Sequence, residues 1–324
     1  MVETAGQMPK ECKVLITGSS GMLGMDLLKE LGRDYEIYGA DLIAQSPNRP
    51  MAKFYKCDIT DKKSILDIVE KVKPDIIIHT AAYTDVDGCE SNKEKAYKIN
   101  SEGTRNIALA CKKINSVLLY IGTDFVFDGK KRTPYIESDR PNPLSIYGKS
   151  KLNGENFVKK LLKKHFIIRT SWLYGKYGKN FVDIILSKRK SEKILKVVND
   201  QVGSPTYTKD LVKAIHALLD KISGQGPAAR GQPHGIYHVS NSGSISWYKY
   251  AKEILRLAKS KAKVMPISSN ELARPAKRPS LSVLDNSKFI KFTGYKMRLW
   301  NDALREYIHD KENCSPSSRA TLAT

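Results

Sequence analysis

Along the first half of the chain, short runs of β-branched and aliphatic residues alternate with stretches whose apolar positions recur every three or four residues. Val14-Leu15-Ile16 reads as a strand, and Met22 to Leu31 as the helix after it. Glu36 to Ala40 is the next strand and Phe54-Tyr55 a short third. From Ser64 to Val72 the apolar residues fall at 65, 66, 68, 69 and 72, one face of a helix that Pro74 ends. Ile76-Ile77-Ile78 is apolar throughout; a loop, a long helix over Lys93 to Lys113 and the apolar run Val117 to Ile121 follow. Strands with no polar face must be covered above and below. Their alternation with helices therefore predicts an α/β fold on a doubly wound parallel sheet, Rossmann-like.

The second half departs from this rhythm. Pro134, Pro141 and Pro143 punctuate a loop, a helix is predicted over Ser145 to Leu162, and Phe166 to Arg169 is a further core strand. After Ser171 the segments are shorter and richer in turn residues. The expected organisation is a first domain over 12–170 and a smaller C-terminal α/β lobe over 171–311, some of whose strands and helices return to the first domain. Ser223 to Gly235, with its Gly and Pro content, reads as a flexible surface excursion, and residues 1–11 and 312–324 as disordered tails.

Composition narrows the function classes. The 324 residues carry Lys+Arg 55 against Asp+Glu 34, a net charge of +21, and 41% are hydrophobic, which suits a globular chain. No run approaches the roughly 18–20 apolar residues of a membrane helix, and the polar stretch Met1 to Glu11 predicts no signal peptide. Cys12, Cys57, Cys89, Cys111 and Cys314 lack zinc-ligand spacing and disulfide density, so a reducing cytoplasm and no metal are expected. The positive charge raises the question of nucleic acid. Lys159-Lys160, Lys163-Lys164 and Lys188-Arg189-Lys190, however, are spread along the chain without interleaved aromatics, the pattern of solvated helix faces. Neither nucleic acid nor a membrane is expected as a partner; the charge favours a phosphorylated small molecule.

Two groups of residues carry candidate chemistry. Gly18-Ser19-Ser20-Gly21-Met22-Leu23-Gly24 follows the first strand and opens the first helix. Glycines there allow a tight turn and close approach to a pyrophosphate, and the helix N-terminus offers free N–H groups. A glycine triplet alone is a weak signal; its position between strand and helix gives it weight. Asp41, at the end of the second strand, is placed to accept from ribose hydroxyls and repel a 2′-phosphate, which favours NADH over NADPH. The plainer alternative is a strand-end turn. Asp58 and Ala81-Ala82-Tyr83 follow the third and fourth strands, where such folds line the adenine and the cofactor bridge.

The second group is Tyr147 and Lys151, four apart on one helical face. A phenol is a poor acid at neutral pH, and a neighbouring ammonium lowers its pKa. Such a pair exchanges a proton with a carbonyl or hydroxyl while hydride moves. Thr123, at the end of the fifth strand, is placed to hydrogen-bond the same oxygen. Trp172 leaves the sixth strand at the carboxyl edge of the sheet, as a ligand contact or as a core residue. Arg274, Lys277 and Arg278 suit a diphosphate or, equally, an exposed basic loop.

Together these residues resemble the extended short-chain dehydrogenase/reductase family, and within it the dTDP-4-dehydrorhamnose reductases over nearly the whole chain. The glycine triplet and the Tyr147/Lys151 pair mark only the wider family. More specific are Asp85-Val86-Asp87 with Glu90, Asn100, Thr123 to Gly129, Gly154-Glu155, Arg169 to Gly175, Asp200 to Thr206, and Pro275 to Pro279 with Ser282. The resemblance implies NADH- or NADPH-dependent reduction of the C4 keto group of dTDP-4-dehydro-L-rhamnose to dTDP-L-rhamnose. It implies Tyr147 as proton donor, Lys151 as its pKa tuner and ribose ligand, Thr123 and Asp124 as sugar contacts and Trp172 packed on the sugar; Arg278 is the substrate-binding candidate for the diphosphate by its own chemistry. Gly18, Ser20, Gly21, Met22, Leu23, Gly24, Asp41, Asp58, Ile59, Ala81, Ala82, Tyr83, Asn100 and Ile121 complete the implied cofactor set. Residues 12–170 then form an NAD(P)-binding domain and 171–311 mainly a substrate lobe.

Three positions depart from that pattern: Met22 stands where Gln is usual, Gly122 where Ser is, and Phe125 where Tyr is. Gly122 is expected to loosen the end of the fifth strand. Arg49 is a candidate contact for a 2′-phosphate. Some relatives bind the cofactor yet serve as the regulatory beta subunit of methionine adenosyltransferase, the main alternative; Trp172 and the Asp200 to Thr206 block favour the reductase. Base, sugar epimer and oligomeric state stay open, and a homodimer is compatible with the sequence.

Overall fold

In the computed structural model of the chain, which describes residues 12–43, 52–223 and 234–313, seven strands form one parallel sheet. Six come in quick succession: β1 (Lys13–Thr17), β2 (Glu36–Asp41), β3 (Ala52–Lys56), β4 (Ile76–His79), β5 (Val117–Thr123) and β6 (His165–Thr170). The seventh, Gly235–His238, pairs with the outer side of β6. Across the sheet the order is Gly235–His238, β6, β5, β4, β1, β2, β3. The chain starts mid-sheet, winds outward to β3, then crosses back to β4 and winds the other way. This leaves a switch point between β1 and β4, where crevices open beyond the strand ends.

Val14–Ile16, Ile77 and Ile78, Leu118 and Leu119, and Phe166 and Ile167 have no exposed surface, as fully covered strands require. On one face, Leu23, Leu27 and Leu31 of helix α1 (Met22–Leu31) and Leu211, Ile215 and Leu218 of the helix Thr208–Ser223 pack on Ile16 and Ile78. On the other, Ile65, Val69, Ile107, Cys111 and Val158 pack on Leu15, Ile77 and Tyr120. The helix Lys62–Val72 begins where Asp61 accepts from Lys63 N and ends at a left-handed Lys73, just before Pro74. The long helix expected over Lys93 to Lys113 is broken: α over Lys93–Tyr97, π over Lys98–Gly103, then α over Thr104–Ile114. A six-residue helix, Val86–Ser91, precedes it, too short to show a period in the sequence.

After β6 the chain builds a second apolar cluster. Tyr174, Leu195, Tyr207, Tyr250 and Tyr307 gather between the helices Phe181–Lys188, Trp247–Leu257 and Trp300–Asn313. Short ladders frame it: Ile194–Val198 runs parallel to Lys263–Ile267, and Val202–Gly203 antiparallel to Ile245–Ser246. The helix Thr208–Ser223 and the strand Gly235–His238 return to the first sheet. Within the stretch expected to be a flexible excursion, Ser223 ends a helix and Gly235 starts the edge strand; residues 224–233 lie outside the described residues, as do 1–11 and 314–324. Glu312 and Asn313, expected in a disordered tail, instead complete the last helix. Among the described residues no helix is long and apolar enough to cross a membrane, and no group of three or more His, Cys, Asp or Glu could hold a metal ion.

Candidate active site

The carboxyl ends of the central strands open into one cavity of about 1350 Å³. Gly18 turns the chain at φ +74°, and a Cβ there would lie 2.5 Å from the Ala81 nitrogen, so only glycine lets the loops after β1 and β4 meet. Gly21 is the N-cap of α1 and offers no side chain, leaving the first-turn N–H groups uncapped beside the wall formed by Gly21, Met22 and Leu23. Gly24 is not in the wall; a Cβ on it would sit 2.2 Å from the Gly18 carbonyl oxygen, so it sets how closely helix and loop approach.

Asp41 holds the strand-end turn and also stands in the cavity wall. Its Oδ2 accepts from Ser20 N at 2.9 Å and its Oδ1 from Leu42 N at 2.7 Å, ordering the turn while the residue lines the cavity. Asp58, Ile59, Ala81, Ala82 and Tyr83 also line it. Asn100 does not. It is buried in the π-turn, where it accepts from Tyr83 N at 2.7 Å and donates to Tyr83 O and to Ser150 Oγ, each at 3.0 Å. It braces the loop after β4 against the helix that carries Tyr147.

That helix, Ile146–Leu161, is capped by Ser145, which accepts from Gly148 N, and Glu90 Oε1 accepts from Ile146 N at 2.7 Å. Tyr147 and Lys151 face the cavity together with Ile121, Thr123 and Asp124. The Thr123 hydroxyl donates to Asp124 Oδ1 at 3.1 Å, accepts from Phe125 N at 3.2 Å, and is a hydrogen-bond partner of the Tyr147 phenol. Burial pushes that phenol above its ordinary pKa, Thr123 works against the rise and the Asp124 charge adds to it. This corrects the expected lowering by Lys151. The Lys151 Nζ donates to the Ile121 carbonyl at 2.7 Å and lies 4.1 Å from the Tyr120 ring centre; burial pulls it down to about 7, with Glu155 opposing. Tyr147 is therefore a protonated acid at neutral pH. Asp124 is pushed up to about 7 by burial, against hydrogen bonds from Ser282 and Thr123.

Beneath these groups lies a buried ion pair. Arg169 donates through Nη2 to Glu155 Oε2 at 2.7 Å and through Nε to both carboxylate oxygens at 3.1 and 3.2 Å. Gly122 makes room for it: a Cβ there would lie 2.8 Å from Glu155 Oε1 and 3.0 Å from Arg169 Cγ. The glycine does not slacken β5, which stays paired through Gly122↔Arg169 and Thr123↔Thr170. Gly122→Ser is accordingly expected to destabilise the protein by about 1–3 kcal/mol, the usual cost of overpacking. Urea unfolding checks it; an unchanged midpoint would remove the steric argument.

Trp172 stands in the wall, with its ring 3.5 Å from that of Trp247 at an interplanar angle of 6°. The Asp200 to Thr206 block frames this corner without lining the cavity. Ser204 O accepts from Ser171 Oγ at 2.7 Å, Thr206 N donates to Trp172 O at 3.2 Å, and Asp200 accepts from Ser269 N and Oγ. Arg278 is not brought to the cavity. Its guanidinium is spent on Asp87, at 3.0 and 2.9 Å, with Arg274 on the same carboxylate at 3.4 Å; Lys277 is exposed. Leu42, Ile43, Lys179 and Trp247 are wall residues that sequence reasoning missed. For Trp247 a signal existed, since the chain has only three tryptophans and this one opens a helix behind a Ser cap.

Residues 12–313 match the RmlD substrate binding domain family. The chain belongs to that family. It is 38% identical to the spore coat polysaccharide biosynthesis protein SpsK of Bacillus subtilis, over 93% of this chain and 98% of that one. It is 37% identical to a dTDP-4-dehydrorhamnose reductase of Aggregatibacter actinomycetemcomitans, over 90% and 97%. A solved dTDP-4-dehydrorhamnose reductase of Bacillus anthracis in complex with NADP superposes with a TM-score of 0.82 at 40% identity, over 92% and 99%. In this RmlD-family chain the match runs through both the sheet and the second apolar cluster, so the cavity lies wholly within the region that defines the family.

Proposed function

We propose that the protein reduces the C4 keto group of dTDP-4-dehydro-L-rhamnose to dTDP-L-rhamnose with NADH or NADPH. The observation that carries the reading is one cavity shared by Tyr147, Thr123 and Asp124 and by the uncapped N-terminus of α1. The left-handed turn at Gly18 and the free first-turn N–H groups suit a diphosphate, and the Asp41 carboxylate suits ribose hydroxyls. The residues that would hold the dinucleotide are Gly18, Ser20 to Leu23, Asp41, Asp58 and Lys151. The reduced nicotinamide, when bound, supplies the hydride. Tyr147 delivers the proton to the reacting oxygen from its hydroxyl, and Thr123 hydrogen-bonds that oxygen. Lys151, poised near neutrality, offers its ammonium where negative charge develops. Residues 171–311 serve mainly as the substrate lobe on 12–170. The free thiols of Cys12, Cys57, Cys89 and Cys111 are in keeping with the cytoplasm. A homodimer is the assembly to look for by size measurement.

The decisive assay follows NAD(P)H oxidation against a panel of 4-keto sugar nucleotides. Turnover of the dTDP-4-keto-6-deoxy sugar is expected, and no oxidation with any of them overturns the reading. The relatives give no support to the regulatory subunit alternative, which requires cofactor binding without turnover. For cofactor choice, Asp41→Ala is expected to shift the NADH:NADPH affinity ratio toward NADPH by about tenfold, equivalent to about 1.4 kcal/mol. Titration of both cofactors measures it, and an unchanged ratio means another group selects. Arg49, the other candidate, lies outside the described residues.

A further inference from the structure

Trp172 is held in a conformation its own chemistry disfavours. Its φ is +47°, a left-handed value rare for a bulky side chain and costly unless the surroundings impose it. One ring face is covered by Trp247, nearly parallel at 3.5 Å. The other is covered by backbone: a Cβ built on Gly203 would stand 2.4 Å from Cε2 and 2.7 Å from both Nε1 and Cζ2, which places it above the ring and not at its edge. The indole is thus clamped between Gly203 and Trp247. Aromatic pairs left to themselves prefer offset or edge-on contact, so this close overlap is set by the frame around the rings.

The frame is built for the purpose. Ile245 pairs with Gly203 and Ser246 with Val202, so the short antiparallel ladder sets Trp247 beside the Gly203 backbone. Ser246 caps the helix that Trp247 opens, and its Oγ donates to Asn199 Oδ1 at 2.7 Å. Phe181 backs the Trp247 ring at 4.3 Å. Both indoles line the cavity wall. With its two faces taken, Trp172 has only its edge left to present to a ligand.

Building on the sugar nucleotide reading above, we infer that Trp247 is a substrate-positioning residue that clamps Trp172, so that the sugar meets an indole edge and not an indole face. The test compares wild type, Trp247→Ala and Trp247→Phe by steady-state kinetics, by calorimetry with dTDP-L-rhamnose and with NADPH, and by circular dichroism. Trp247→Ala is expected to raise KM for the keto sugar nucleotide about tenfold, with kcat and the NADPH Kd within about twofold of wild type. Trp247→Phe, which keeps a ring over Trp172, should recover most of that loss. The exciton signal of the stacked indoles should vanish in both variants. An unchanged KM in Trp247→Ala with the signal gone overturns the clamp, and so does a Phe variant as impaired as Ala. Equal loss of NADPH and sugar affinity also overturns it, because it reports general collapse. If wild type binds dTDP-L-rhamnose but reduces no keto sugar, the proposed function falls while the clamp is still judged by the Kd of that ligand.

Discussion

Tyr147→Phe is expected to lower kcat by about 10²–10⁴-fold, the contribution of a positioned proton donor. Reduction of a ketone leaves an alkoxide, and Tyr147 is the cavity hydroxyl that sits with Thr123 at the end of β5. Burial keeps the phenol protonated at neutral pH, so the acid is ready before substrate arrives. Phenylalanine preserves the ring and its edge contact with Phe125, at 5.5 Å, while removing the proton. NADPH affinity should therefore change little, and the loss should fall on kcat and kcat/KM alike. Lys151→Ala should differ, losing rate and cofactor affinity together. A Tyr147→Phe enzyme with the wild-type rate would end this mechanism.

Glu155→Ala is expected to cost about 3–5 kcal/mol of stability, because it strands a buried guanidinium. Arg169 is 1% exposed and Glu155 not at all, and Nη1 of Arg169 already has no hydrogen-bond partner among the described residues. His238 nearby gives no compensation. Burial and then the Arg169 charge pull it down to about 3, so it stays neutral. Replacing both partners by methionine should recover most of the loss, since an apolar pair avoids the desolvation penalty. Urea unfolding of the single and double variants measures this, and a single-variant cost below about 1 kcal/mol would show that water reaches the site. Activity offers a second reading. Glu155 supports the Lys151 ammonium, so without it the Lys151 pKa falls below about 7. A lysine is charged only below its pKa, so the limb of the rate profile that needs the ammonium should move to lower pH.

The central strands were legible because burial on both faces writes itself as unbroken apolar runs, as in Val14–Ile16 and Ile76–Ile78. Gly18 and Asp41 were legible because strand–turn–helix spacing constrains them tightly. Gly235–His238 was not, since four residues after a turn-rich stretch carry no period. Gly122 was misread for a related reason: its neighbours Glu155 and Arg169 are distant in sequence, and only packing joins them. The rise of the Tyr147 pKa escaped as well, because helical spacing shows proximity to Lys151 but not desolvation, which here dominates both groups. Arg278 had the right chemistry for a phosphate, yet Asp87, far away in sequence, takes it.

The edge of the sheet has a consequence for synthesis. β6 ends at Thr170, and the strand that seals it begins only at Gly235. Until that strand emerges from the ribosome, Phe166, Ile167 and Ile168 stand on a bare edge, open to pairing with another nascent chain. The intervening segment must be made and its long loop closed before the edge is covered, which places the slowest pairing late. A chain interrupted before Gly235 therefore carries an unsealed, adhesive strand, whereas Tyr250 and Tyr307 complete the second cluster only after the edge can be sealed.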